Sequence, residues 1–186
     1  MLWGIIALGV IVLLAFTLIG IYNRLVRLRN TVRSSWSDID VQLKKRYNLI
    51  PSLVETVKGY AKHEKELLEK ITAARAGAMA AATPGETAQQ EQQLVAGLRG
   101  LMVAVEAYPD LKANQNFLDL QNQLAKIEDD IEAARRYYNA VVRDYNTSIE
   151  TFPAVMFAAM LGFKPEDFFE LDDAATVRKP IRPDFS

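Results

Sequence analysis

Leu2-Trp-Gly-Ile-Ile-Ala-Leu-Gly-Val-Ile-Val-Leu-Leu-Ala-Phe-Thr-Leu-Ile-Gly-Ile-Tyr22 runs without a charged side chain, and Arg24, Arg27, Arg29 and Arg33 follow at once. About 20 apolar residues of helix cross the hydrocarbon core of a bilayer, so this run is long enough to span one. Basic segments stay on the cytoplasmic side. The expected order is a short outer N-terminus, one crossing and a cytoplasmic remainder. Trp3 and Tyr22 sit near the two boundaries, where aromatic rings anchor to the interface. A cleaved signal would carry its bases before an apolar stretch of roughly 7–15 residues and end on small side chains; here the bases come after. A buried core helix would show charge on some face, and this run shows none.

Beyond the anchor the chain holds enough residues for one domain with a core. There is no cysteine, which excludes disulfides and thiolate metal sites. His63 is the single histidine, which excludes multi-histidine metal sites. The net charge of -1 hides an asymmetry. Residues 23–46 carry seven bases against two acids, whereas residues 84–130 carry three against eight. Bases so close to a membrane suit an anionic inner leaflet.

Apolar side chains recur at Leu25, Leu28, Val32, Trp36, Ile39, Leu43, Tyr47, Ile50 and Val54, in steps of three, four and four. That 11-residue repeat belongs to a nearly straight or weakly right-handed helix. The spacing predicts one helix continuing from the anchor to about Ala82, which at 1.5 Å per residue would stand about 90 Å beyond the membrane. Pro51 lacks an N–H and clashes with the carbonyl of Tyr47, yet the stripe stays in phase across it. A kink within one helix is therefore expected, rather than a break. Thr83-Pro-Gly-Glu86 is stronger punctuation. A second helix is expected from about Thr87 to Ala107, then a turn at Tyr108-Pro-Asp110. A third, long helix follows, carrying Phe117, Leu120, Leu124, Ile127, Ile131, Ala134, Tyr138, Val141, Tyr145 and Ile149. Thr151 as cap and Pro153 in the first turn predict a short fourth helix, ended by Gly162. The tail at 172–186 reads as extended or disordered.

Several of these blocks resemble the LemA family of bacterial membrane proteins. They are Gln42-Leu-Lys-Lys-Arg-Tyr-Asn-Leu-Ile-Pro-Ser-Leu-Val-Glu-Thr-Val-Lys-Gly-Tyr-Ala-Lys-His-Glu64, the stretch from Tyr108-Pro-Asp-Leu-Lys-Ala-Asn114 through Phe117, Gln121, Leu124 and Glu128, and Tyr138-Asn-Ala-Val-Val-Arg-Asp-Tyr-Asn146 with Phe152-Pro153, Leu161-Gly-Phe163 and Phe168-Phe-Glu170. The resemblance covers nearly the whole chain. It implies one N-terminal anchor with the N-terminus outside, in the bacterial inner membrane, and a cytoplasmic antiparallel helical bundle. It implies no reaction.

Candidate chemistry is sparse. His63-Glu64 begins a zinc motif that needs a second histidine one turn on, but Leu67 stands there. Glu128-Asp-Asp130 and Glu132 read as an exposed charged face, because a carboxylate metal site in a bundle draws acids from several helices. Arg24, Arg27, Arg29 and Arg33 abut the bilayer without interleaved exposed aromatics, which favours lipid headgroups over nucleic acid. At the kink, the freed Tyr47 carbonyl calls for a donor, since a buried unpaired carbonyl costs on the order of 1–3 kcal/mol. Asn139, Arg143 or Asn146 from the third helix could supply it and fix the register; water is the alternative. Phe152, Phe157, Phe163, Phe168 and Phe169 crowd one segment. They either cap the bundle or form a surface for a partner. Insertion into anionic lipid is opposed by Glu166, Asp167, Glu170, Asp172 and Asp173.

The expectation is an all-α protein. Its anchor (1–22) leads into an antiparallel bundle (23–171) of three long helices and a short fourth, then the tail. No catalytic set, metal or cofactor is expected. Membrane lipids and further copies of the chain are the expected partners, as befits a non-enzymatic scaffold or docking protein. The alternative is an accessory regulator of another membrane protein, such as a protease or stress-response system.

Overall fold

A computed structural model describes residues 2–170, Lys62 by its backbone alone. The described residues contain helices and turns and no strand. Helix α1 spans Leu2–Tyr60, α2 Lys65–Ala80, α3 Pro84–Val105, α4 Pro109–Lys112 and α5 Gln115–Glu150. The tail expected at 172–186 lies outside the described residues. The chain divides into two compact units. The first unit comprises the start of the chain through Asp38 together with Arg136–Asp167; the second comprises Ile39–Arg135 and the residues from Phe168. Helices α1 and α5 contribute to both.

In the first unit, the apolar N-terminal stretch of α1 has no buried residue. Among the described residues almost nothing covers it before Ile21, as expected of a helix solvated by lipid. The core begins just past it. Leu25, Val32 and Ser35 on α1 are buried with Tyr138, Val142, Tyr145 and Ile149 on α5. Trp36 packs its ring against Tyr138, with centroids 5.5 Å apart.

The second unit is built by reversals. Helix α1 passes through Pro51 without interruption, as the in-phase stripe requires, but it does not run on to Ala82. It stops at Tyr60, turns through the 3-10 segment Lys62–Glu64, and restarts as α2. Ala61 leaves helical geometry at φ −112°, ψ 68°. Helix α2 then runs back along α1, so that Arg75 on α2 reaches the carbonyl of Tyr47.

Thr83 and Glu86 form a capping box at the start of α3, each side chain accepting from the other's backbone N–H. Helix α3 lies antiparallel on α2, with Gly97 against Ile71 and Gly100 against Leu67. Tyr108 and Pro109 open the single turn α4. Asn114 then caps α5 by accepting from the Phe117 N–H at 3.0 Å. Tyr60 and Asn114 meet at 2.9 Å, and Arg46 meets Glu128; the two pairs hold α1 and α5 antiparallel. Ile39, Leu43, Ile50, Leu53 and Val57 of α1 form the core with Ile71, Leu94, Leu101 and Phe117. Within this unit the stretches of α1 and α5 and the α2–α3 hairpin thus make an up-down bundle. The extra reversal is the departure from the expected three long helices.

The fourth helix is also shorter than expected. Thr151 does not cap a new helix. Its N–H donates to the Thr147 carbonyl at 3.0 Å, and its hydroxyl donates to the same oxygen, so it completes α5. Residues 152–163 are turns around one 3-10 segment, Ala154–Met156. Gly162 does end this segment, at φ 77°. The Phe163 N–H donates to the Ala158 carbonyl and that of Gly162 to Ala159, the bond pattern of a Schellman turn.

Candidate functional site

Two arrangements of polar and aromatic side chains stand out, one in each unit. In the second unit Arg46 is fully buried on α1, 0% exposed. Its guanidinium pairs with Glu91 on α3 and donates to Glu128 on α5 at 2.6 Å. The Tyr47 hydroxyl donates to the other oxygen of Glu91 at 2.5 Å. Burial pushes the Tyr47 hydroxyl up to about 12, with Arg46 opposing and Asp40 adding to the rise. Arg46 and Glu91 are closed to solvent, so they tie three helices in one register instead of meeting a substrate. Removing either partner would strand a buried charge. Glu128 is not part of a purely solvated acidic face, as the sequence suggested, because one of its oxygens holds Arg46.

The Tyr47 carbonyl is satisfied from α2. Arg75 Nε donates to the Tyr47 carbonyl at 2.7 Å. Of the donors expected from the third helix, Asn146 is employed elsewhere. Asn146 donates to the Glu166 carbonyl and accepts from the Glu166 N–H, both at 2.9 Å. Asn139 and Arg143 belong to the first unit. Sequence reasoning missed Arg75 because it treated residues 65–80 as a continuation of α1, in which a side chain at position 75 could not return to position 47. It also missed Arg46 and Glu91. The signal was there: Arg46 lies three residues after Leu43 and four before Ile50, inside the apolar phase, and Glu91 lies three before Leu94.

In the first unit the aromatic segment folds against α1 just beyond the anchor. Tyr22 and Phe163 meet edge to face with centroids 5.7 Å apart. The Arg29 guanidinium lies 4.9 Å from the centre of the Phe163 ring, a cation–π distance. Ile21, Arg24 and Leu25 line a small cleft with Ser148, Thr151, Phe152, Pro153 and Ala154. Further along, the Tyr138 hydroxyl donates to the Asp167 carbonyl at 2.8 Å. Burial raises the Tyr138 hydroxyl to about 12, with Glu166 and Asp167 contributing. Arg24, Arg27 and Arg33 are exposed, while Arg29 is half-buried against Phe163. The five phenylalanines separate. Phe163 and Phe169 are buried and cannot present a partner surface; Phe157 is half-buried, and Phe152 and Phe168 are exposed.

An apolar helix at the N-terminus, followed by paired helices with a charge-locked interior, defines a helical protein with, among the described residues, one helix long and apolar enough to enter a bilayer. The LemA family model matches residues 35–185, and the chain belongs to that family. Protein LemA of Metamycoplasma hominis is 30% identical over 138 residues, 74% of this chain. The chain spans 63% of that relative's length. Magnetosome protein MamQ of Magnetospirillum gryphiswaldense is 26% identical over 191 residues, covering 88% of this chain and 70% of that protein. Magnetosome protein MamQ 2 of Paramagnetospirillum magneticum is 24% identical over 195 residues, with 90% and 72% covered.

Proposed function

We propose that the protein is a non-enzymatic scaffold, held in the inner membrane by residues 2–22 with its helices in the cytoplasm, that assembles with further copies of itself. The observation that carries this reading is an open apolar groove of about 660 Å³ between α3 and α5. Val95, Leu98, Met102, Val103, Leu124 and Ala125 line it, with Arg99 and Glu128 also contributing. Val103 is 74% exposed, an apolar side chain that gains by being covered. One base and one acid in the lining leave the groove without net charge, so a second copy meets no like-charge repulsion there. A two-fold dimer would cover such a face on both copies at once.

The chain lacks cysteine, so a single reporter can test the groove. Val103→Cys in the full-length protein should oxidise to a dimer in the membrane, whereas exposed Asn122→Cys outside the groove should not. Equal, weak crosslinking at both positions would contradict self-assembly through this face. A second reading, an accessory regulator of another membrane protein, is favoured by a separate groove of about 730 Å³ between α1 and α2, lined by Val54, Lys58, Leu68, Thr72, Ala73 and Ala76 among others. Copurification of a foreign membrane protein that is lost on Ala73→Glu would support it.

A further inference from the structure

We propose that the turn from Phe152 to Leu161 is a second membrane contact, a foot that lies in the boundary between headgroups and acyl chains beside the point where α1 leaves the bilayer. The inference rests on residues 2–22 being the bilayer segment. Tyr22 is the last residue of the apolar run, and its ring meets Phe163. The start of the turn lines a cleft with Ile21, Arg24 and Leu25. The turn is therefore fixed at the height on α1 where charge begins.

Composition and burial agree with that position. From Phe152 to Phe163 there is no charged side chain. Ala154, Ala158 and Phe163 turn inward and are buried. Phe152, Val155, Met156, Met160 and Leu161 face outward, Phe152 at 77% and Met160 at 80% exposed. The patch is continuous with the exposed anchor, so the lipid that covers Ile19 and Ile21 is the nearest cover for it. Twelve residues of turns are too short to cross the hydrocarbon, which needs about 20 residues of helix. They suit a segment lying in the interface, where apolar side chains enter the acyl boundary and flanking cations meet anionic headgroups. Lys164, Arg24 and Arg27 are exposed and supply those cations.

Two of the acids expected to oppose lipid insertion, Glu166 and Asp167, are tied by their backbones to α5. Asn146 clamps the backbone of Glu166, and Tyr138 holds that of Asp167. Tyr138 packs on Trp36, which lies about 20 Å along α1 from Tyr22 at 1.5 Å per residue. Past Phe163 the chain thus leaves the interface before Glu166 and Asp167.

The test uses the full chain in vesicles of mixed zwitterionic and anionic phospholipid, with single cysteines carrying a polarity-sensitive fluorophore. Met156→Cys and Met160→Cys replace exposed side chains, so the fold should tolerate them. Leu13→Cys reports the anchor and Asn122→Cys an exposed helix surface. The labels at 13, 156 and 160 should emit to the blue of that at 122, lose emission to lipid carrying a nitroxide on its acyl chain, and resist aqueous iodide. Labels at 156 and 160 that iodide quenches and nitroxide lipid does not would overturn the foot, with the label at 13 still reporting a sound anchor. Protection from both quenchers would overturn it too, assigning the patch to protein contact. A label at 13 that nitroxide lipid fails to quench would remove the anchor, and the proposal with it.

Discussion

Arg46 shows how a single side chain can organise this fold. A guanidinium buried with two carboxylates contributes little net stability against an apolar replacement of equal volume, but breaking the set by removing one member typically costs about 3–5 kcal/mol. Arg46→Ala should therefore lower the stability of the full-length protein in detergent, read by urea unfolding, by an amount in that range, because Glu91 stays buried without its partner. A loss below about 1 kcal/mol, the scale of an exposed pair, would mean that water reaches the cluster. Arg75→Met should cost about 1–3 kcal/mol by leaving the Tyr47 carbonyl unpaired, and the same unfolding measurement reads it. Tyr47 and Tyr138 give a pH signature. Both hydroxyls are raised from 10.0 to about 12 by burial. A raised folded value contributes stability that is complete below pH 10.0 and is lost as pH rises toward about 12. Alkaline unfolding in that window should be shallower in a Tyr47→Phe, Tyr138→Phe double variant than in the parent. Arg46 left a signal that the sequence reading passed over, a charge inside an apolar phase, whereas Arg75 left none, because its role depends on a reversal that the sequence hides.

That reversal belongs to the scale of elements. The stripe Val57, Ala61, Leu68 and Ile71 keeps helical phase through the turn at 61–64. Periodicity reports which face is apolar and cannot say whether the axis continues or folds back when the phase survives. No proline or glycine stands at 61–64 to mark the turn. The break at 83–86, the proline turn at 109 and the in-phase passage through Pro51 were legible because each has local chemistry of its own, although the capping box starts α3 at Pro84 and not at Thr87 as expected. Thr151-Phe-Pro153 looked like a helix start for the same reason, but Thr151 bonds back into α5. The α2–α3 hairpin makes a direct prediction. A Cβ on Gly97 would lie 2.9 Å from Cγ1 of Ile71, and Ile71 is fully buried. Gly97→Leu should destabilise by about 1–3 kcal/mol through overpacking. Ile71→Ala on the same chain should recover part of that loss, since the added side chain then fills the space opened. Additive losses in the double variant, measured by thermal unfolding, would show that the two helices do not meet there.

At the scale of the molecule, the uncharged run and the bases that follow it were legible from the first residues, and they carry the proposed topology. The excess of bases in 23–46 should hold the C-terminus in the cytoplasm. A tag after Ser186 should resist protease added to intact cells, and digestion there would reverse the orientation. The proposed scaffold and its apolar faces were less legible, because a groove is a relation between helices and no single stretch encodes it. The central claim is assembly, and native mass measurement of the full-length protein in lipid tests it most directly. The account predicts whole-number multiples of the 20.9 kDa chain, collapsing to single copies when Val103 is replaced by glutamate. A single copy across the concentrations found in the membrane, unchanged by that substitution, would contradict it.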